Sequence, residues 1–128
     1  MRKRTNILGK YKPKNLYKCE QGCCVYRSLW ERKVMLYLDK STSVHLWSSE
    51  KIEVPYLSPK DDKWHTYYPD FWCRYTNDKG HIVEAVLEVK PSSQRRWKIN
   101  KAKWKAAREM CKERGWEFIV LTEKEIKP

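Results

Sequence analysis

Four residues, Asn77-Asp78-Lys79-Gly80, separate two segments of alternating polarity and leave the middle of this chain few ways to fold. Such a turn suits a type I geometry closed by Gly80 in the left-handed conformation, the G1-bulge hairpin. It sets Asn77 opposite His81, and the remaining pairs follow by counting outward along Tyr67 to Thr76 and His81 to Lys90. Phe71 then faces Leu87, Cys73 faces Ala85 and Tyr75 faces Val83, which makes one face apolar. The other face pairs Arg74 with Glu84, Trp72 with Val86 and Asp70 with Glu88. Lys90, two positions beyond Glu88, points to that same side. The turn alone chose this register, and the apolar residues nevertheless fall together.

The flanking segments supply the rest of a domain. Ser28 followed by Glu31 has capping-box form and predicts a helix over about Leu29 to Lys40. At 100° per residue its apolar face is Trp30, Val34, Met35, Tyr37 and Leu38, and Arg32, Lys33, Asp39 and Lys40 take the other side. Glu31 falls inside the apolar arc. An extended region over Val44 to Leu57, ended by Pro55 and Pro59, runs into the polar turn Lys60-Asp61-Asp62-Lys63. A second helix is expected from about Arg95 to Arg114, stopped by Gly115, with Ile99, Ala102, Ala106, Ala107, Met110 and Cys111 on one side. Trp116 to Leu121 reads as a buried strand. Residues 1–26 lack periodicity and read as an irregular basic arm, with residues 27–128 as the core of a single domain. The expectation is an α/β fold with a mixed sheet, in the order α-β-β-β-α-β.

Charge narrows the function. With 28 Lys and Arg against 16 Asp and Glu, the chain carries a formal +12, which points to a polyanion and by default to nucleic acid. On the second helix Lys98, Lys101, Lys105, Arg108 and Lys112 recur at spacings of three or four, a stripe suited to phosphate contact or to solvent. No apolar run approaches the roughly 20 residues that span a bilayer, and no apolar secretory stretch follows the basic Met1–Arg4. An intracellular protein without a membrane partner is expected. The odd count of five cysteines agrees with reduced thiols. Cys19, Cys23 and Cys24 lie close together but lack a fourth zinc ligand at a recognisable spacing, so free thiols are expected.

Two carboxylates directly opposed across a hairpin repel each other unless something positive lies between them. A divalent cation such as Mg²⁺, with oxygen ligands and several retained waters, answers that need, and Lys90 could then neutralise an attacked phosphate. The plainer reading makes Asp70 the end of a turn after Pro69, and Glu88 and Lys90 a solvated strand face. Against it, both lie in a strand otherwise rich in Val, Ala and Leu and followed at once by Pro91.

Pro69-Asp70 followed by Glu88-Val89-Lys90, on the two arms of one hairpin, resembles the signature of the PD-(D/E)XK nuclease superfamily. The resemblance implies a restriction-endonuclease-like core. In it Asp70, Glu88 and the Val89 carbonyl would hold Mg²⁺ (with Mn²⁺ as substitute), and Lys90 would act near the nucleophile. Gly9-Lys10-Tyr11, Pro13-Lys14-Asn15, Arg27-Ser28-Leu29-Trp30-Glu31, Trp47-Ser48-Ser49-Glu50 and Val54-Pro55-Tyr56 further resemble the head-completion nucleases of tailed phages. That implies DNA as partner, phage capsid or portal proteins as further partners, and a place in the host cytoplasm or the virion. Arg27 joins the helix stripe as an expected DNA contact.

Two readings of Glu31 stay open, a helix cap and a catalytic acid reaching the metal. Glu50, at the start of a strand that could run beside Asp70, is a weaker site candidate and is expected to be an ordinary exposed acid. His45, His65 and His81 are expected to be surface or turn residues, with His65 alone near enough to Asp70 to matter. The competing functional readings are a non-catalytic DNA-binding or virion component, a transposon-end or homing-type nuclease of the same fold, and an RNA-directed module.

Overall fold

The computed structural model describes residues 7–126 apart from Leu16 and Glu20, so Met1–Arg4 lies outside the described residues. The arm is more ordered than its composition suggests. Strands β1 (Gly9–Tyr11) and β2 (Cys24–Tyr26) pair antiparallel. They bring Tyr11, Cys19 and Cys24 into the main core. The Cys19 and Cys24 sulfurs lie 3.8 Å apart, while Cys23 is exposed.

Helix α1 spans Leu29–Lys40 as the capping box predicts, with the Ser28 hydroxyl accepting from the Glu31 N–H at 3.1 Å. Two of its residues depart from the helical wheel. Tyr37 is 65% exposed, and Asp39, expected outward, is buried. The arm covers the Asp39 side of the helix. Asp39 accepts from the Tyr11 hydroxyl at 2.7 Å and the Lys14 N–H at 2.9 Å. Lys18 Nζ donates to the carbonyls of Asp39 and Ser41, placing a cation on the helix C-terminus. Burial alone would raise the Asp39 pKa. The hydrogen bonds from Tyr11, Lys14 and Asn15, together with the charge of Lys18, outweigh it and hold the group below its ordinary value.

The expected single extended region is two strands, β3 (Val44–Ser49) and β4 (Val54–Leu57), parted where Glu50 adopts φ +52°. Pro55 sits inside β4 rather than ending it, in a two-stranded hairpin with β5 (Trp64–Tyr67), where a missing N–H costs little. Tyr67 thus belongs to β5 and not to the long hairpin. That hairpin is β6 (Phe71–Thr76) and β7 (Ile82–Val89), and its pairs from Phe71–Leu87 to Tyr75–Val83 are those the turn implies. Gly80 has φ +82°, and the Asn77 N–H donates to the His81 carbonyl at 2.8 Å.

A single 3₁₀ turn, Ser92–Gln94, precedes α2 (Lys98–Arg114), so the helix starts later than its apolar pattern suggested. Gly115 closes it at φ +72°. Strand β8 (Glu117–Leu121) pairs parallel with β7. The central sheet runs β3-β6-β7-β8, so α1, β3, β6, β7, α2 and β8 keep the expected α-β-β-β-α-β order, with the β4–β5 hairpin inserted.

Alternation divides the interior into two clusters. Val34, Met35 and Leu38 of α1 pack with Trp47, Phe71, Cys73, Ala85 and Leu87 on one sheet face. On the other, Trp104 and Ala107 of α2 pack with Val54, Tyr56, Tyr67, Phe118 and Val120. Trp104 and Asn100 of α2, absent from the predicted apolar side, are both buried. Asp70, Glu88 and Lys90 fall on the α2 face by register.

Candidate active site

Asp70 immediately precedes β6 and Glu88 lies near the end of β7, each 1% exposed. They are held by each other's backbones. The Asp70 N–H donates to Glu88 Oε1 at 3.3 Å, and the Val89 N–H donates to Asp70 Oδ2 at 2.7 Å. Lys90 is half-buried, with its N–H on the Leu121 carbonyl at 3.0 Å, so its Cα is fixed by β8. A hairpin register thereby brings two buried carboxylates and an amine to one end of the sheet, where desolvation makes uncompensated like charges expensive.

The edge strand contributes more than its sequence announced. The Glu50 N–H donates to the Asp70 carbonyl at 3.0 Å. Far from being exposed, Glu50 is 4% accessible, and its carboxylate pairs with the Arg27 guanidinium. Gln21 holds the preceding residue, Ser49, through both its N–H and its carbonyl at 2.8 Å each. A non-glycine residue at φ +52° is strained, and such strain persists only where surroundings over-determine it. The signal that would have found Glu50 is the β3–β6 register, which sets Ser49 opposite Phe71 and so brings Glu50 beside Asp70.

Arg27, expected on the DNA surface, is largely buried on Glu50 instead. Its N–H donates to Glu31 Oε1 at 3.3 Å, and the Ser28 hydroxyl reaches Glu31 Oε2 at 3.3 Å. Glu31 therefore has the cap geometry and is also buried, connected through Arg27 and Glu50 to Asp70.

Tyr67 stands beside Glu88, and Trp104 stands next to Tyr67; neither was singled out from the sequence. Burial first, and the charge of Glu88 second, push the Tyr67 hydroxyl well above the ordinary tyrosine pKa. Among the described residues neither Tyr67 Oη nor Trp104 Nε1 meets an acceptor in hydrogen-bond geometry. A buried hydroxyl donor next to a carboxylate suits an incoming water or phosphate oxygen.

The chemistry of the donor set decides which cation it could hold. Among the described residues no three His, Cys, Asp or Glu side chains converge as a metal cage. Asp70, Glu88 and the Val89 carbonyl supply oxygen only, which fits Mg²⁺ or Mn²⁺ with water and phosphate completing the shell, and does not fit a soft metal.

The remaining candidates lie elsewhere. Lys98, Lys101, Lys105, Arg108 and Lys112 are all exposed on α2, the layer over the sheet face that carries Asp70 and Glu88, with Glu109 also exposed beside them. His45 bonds Thr76 and His65 bonds Asp61, both on the surface, and His81 is exposed at the turn.

Comparison with known proteins gives two matches. Residues 41–123, well over half the chain and inclusive of Asp70, Glu88 and Lys90, match the family "TnsA-like endonuclease N terminal". The chain is also 29% identical over 139 aligned residues to the head completion nuclease of Enterobacteria phage T4, with 90% of each protein covered.

Proposed function

Because the chain belongs to the TnsA-like endonuclease N-terminal family, we propose that it is a divalent-metal-dependent DNA endonuclease acting in phage head completion. The chemistry is nuclease chemistry, as the family and the T4 relative's name agree. The observation that carries the metal-dependent reading is the buried Asp70–Glu88 pair beside Lys90 at one end of the sheet.

Asp70, Glu88 and the Val89 carbonyl would hold the cation. When bound, it supplies Lewis-acid chemistry, polarising the phosphate and making water a stronger nucleophile. Lys90 sets a positive charge where the phosphate oxygens gather negative charge as the phosphorus becomes five-coordinate. Tyr67 offers a donor to water or phosphate oxygen at Glu88, and packing around Glu88 excludes bulk water. The Glu50–Arg27 pair keeps the β3 end against Asp70. The exposed α2 stripe supplies phosphate contacts that orient DNA without reading its sequence. No helix among the described residues is long and apolar enough to cross a membrane. Host cytoplasm or virion, with capsid or portal proteins as partners, is the setting that the T4 relative's name supports.

Supercoiled plasmid with purified protein tests the proposal. Nicking or linearisation is expected with Mg²⁺ or Mn²⁺ and none with a chelator, and cleavage unaffected by chelator would end the metal-dependent reading. The same assay decides Glu31. If Glu31 serves the metal, Glu31→Gln cuts cleavage strongly and raises the cation requirement while the helix stays capped. Ordinary cleavage at ordinary cation concentration leaves it a cap, and Ser28→Ala then costs about 1 kcal/mol of stability.

The stripe has its own measurement. Replacing Lys101, Lys105 and Arg108 together by Gln is expected to weaken binding to every DNA sequence. It should lower the log–log salt slope by about one unit for each phosphate that is no longer neutralised. An unchanged slope would leave the stripe facing solvent.

A further inference from the structure

Between the catalytic strand and α2, the chain places a tryptophan where helices usually place a small polar cap. Trp97 is 53% exposed, yet its backbone is firmly held. Its N–H donates to the Gln94 carbonyl at 3.2 Å and its carbonyl accepts the Lys101 N–H at 3.0 Å. The same Gln94 carbonyl takes the side-chain amide of buried Asn100 at 2.9 Å. The indole borders a cavity of about 330 Å³ lined by Pro59, Lys60, Trp97, Lys98 and Ile99. Pro59 and Lys60 come from the β4–β5 turn, so the cavity bridges the inserted hairpin and the start of α2.

The composition of this cavity selects its occupant. No acid lines it, two lysines do, and Arg95 and Arg96 are exposed in the adjoining turn. Asp61, next to Lys60, is already engaged by His65 and the Lys63 N–H. Protein-binding surfaces enrich aromatics but deplete lysine. Sites for single-stranded nucleic acid instead combine a ring on which a base stacks with cations along the backbone.

We propose that Trp97, flanked by Lys60 and Lys98, stacks on one unpaired base of the DNA. The enzyme would therefore favour DNA with a single-stranded segment, such as a frayed end or tail, over uninterrupted duplex. This deepens the nuclease reading and rests on it for the identity of the nucleic acid. None of these residues belongs to the catalytic set, and Trp97 is exposed enough for its replacement to leave the fold intact.

The test measures binding in the presence of chelator, with a fluorescein-labelled duplex closed by hairpin loops. A second duplex of the same sequence carries a short single-stranded tail containing 2-aminopurine. Wild-type protein is expected to bind the tailed duplex about tenfold more tightly and to quench the 2-aminopurine. Trp97→Ala should lose both the preference and the quench, and Trp97→Phe should restore part of each. Equal affinity of the wild type for both duplexes overturns the inference and leaves the Trp97 face to a protein partner, as does a preference that survives in Trp97→Ala. Plasmid cleavage separates the two readings. A protein that cuts plasmid but shows no preference fails the stacking inference alone, and one that prefers the tail through Trp97 but cuts nothing fails the nuclease reading alone.

Discussion

Asp70→Asn and Glu88→Gln are each expected to lower DNA cleavage by at least about 10²–10³-fold without lowering stability when no cation is present. Both carboxylates are 1% exposed and lie side by side. Removing one charge relieves a repulsion that burial makes strong, so the variants should melt at or above the wild-type temperature in chelator. Millimolar Mg²⁺ or Mn²⁺ should raise the melting temperature of the wild type, because a ligand that binds only the folded state stabilises it. The two variants should lose that rise. Lys90→Ala separates the roles: its cleavage should fall as far, while the cation-dependent rise persists, since an amine does not hold the metal. Wild-type cleavage by Asp70→Asn would refute the assignment. A rise retained in both acid variants would move the cation elsewhere.

Arg27→Ala is expected to be among the most destabilising single changes in the chain, by about 3–5 kcal/mol. It strips the partner from Glu50, which is 4% exposed and cannot regain water without unseating the end of β3. Glu50→Gln should cost less, because a neutral amide at that place needs no countercharge. Arg27→Met with Glu50→Met should recover much of the loss, as apolar replacements of buried ion pairs often do. Urea unfolding of the single and double variants gives the coupling directly. Losses that simply add would show that Arg27 and Glu50 act independently, and that the strained turn at φ +52° is held by Gln21 and the Asp70 carbonyl without the ion pair.

The recognisable parts of this protein were those with short-range causes. The turn Asn77-Asp78-Lys79-Gly80 needs only its own backbone preferences to select a register, and every other pair of β6 and β7 follows from period two. The shared face of Asp70, Glu88 and Lys90 was legible for that reason. The α1 boundaries needed only a cap and a helical period, and Gly115 needed only its own left-handed preference.

What the chain did not disclose locally depends on pairings between distant segments. Asp39 is buried against expectation because the arm lies over its side of α1, and a helical wheel knows nothing of what covers it. Arg27 was read as a surface cation and Glu50 as a surface acid, since each looks so alone. Only the β3–β6 pairing brings Glu50 to Asp70, and only burial makes their neighbour Arg27 an internal countercharge. Tyr67 reached Glu88, and Trp104 reached Tyr67, because the β4–β5 hairpin and α2 share one sheet face. Sequence by itself determined the hairpin, its charged end and the order of elements, because those are set by backbone geometry over a few residues. Tertiary structure decided which charges are buried and which side chains surround Asp70 and Glu88, because desolvation and contact are properties of segments that meet only when the whole chain has folded.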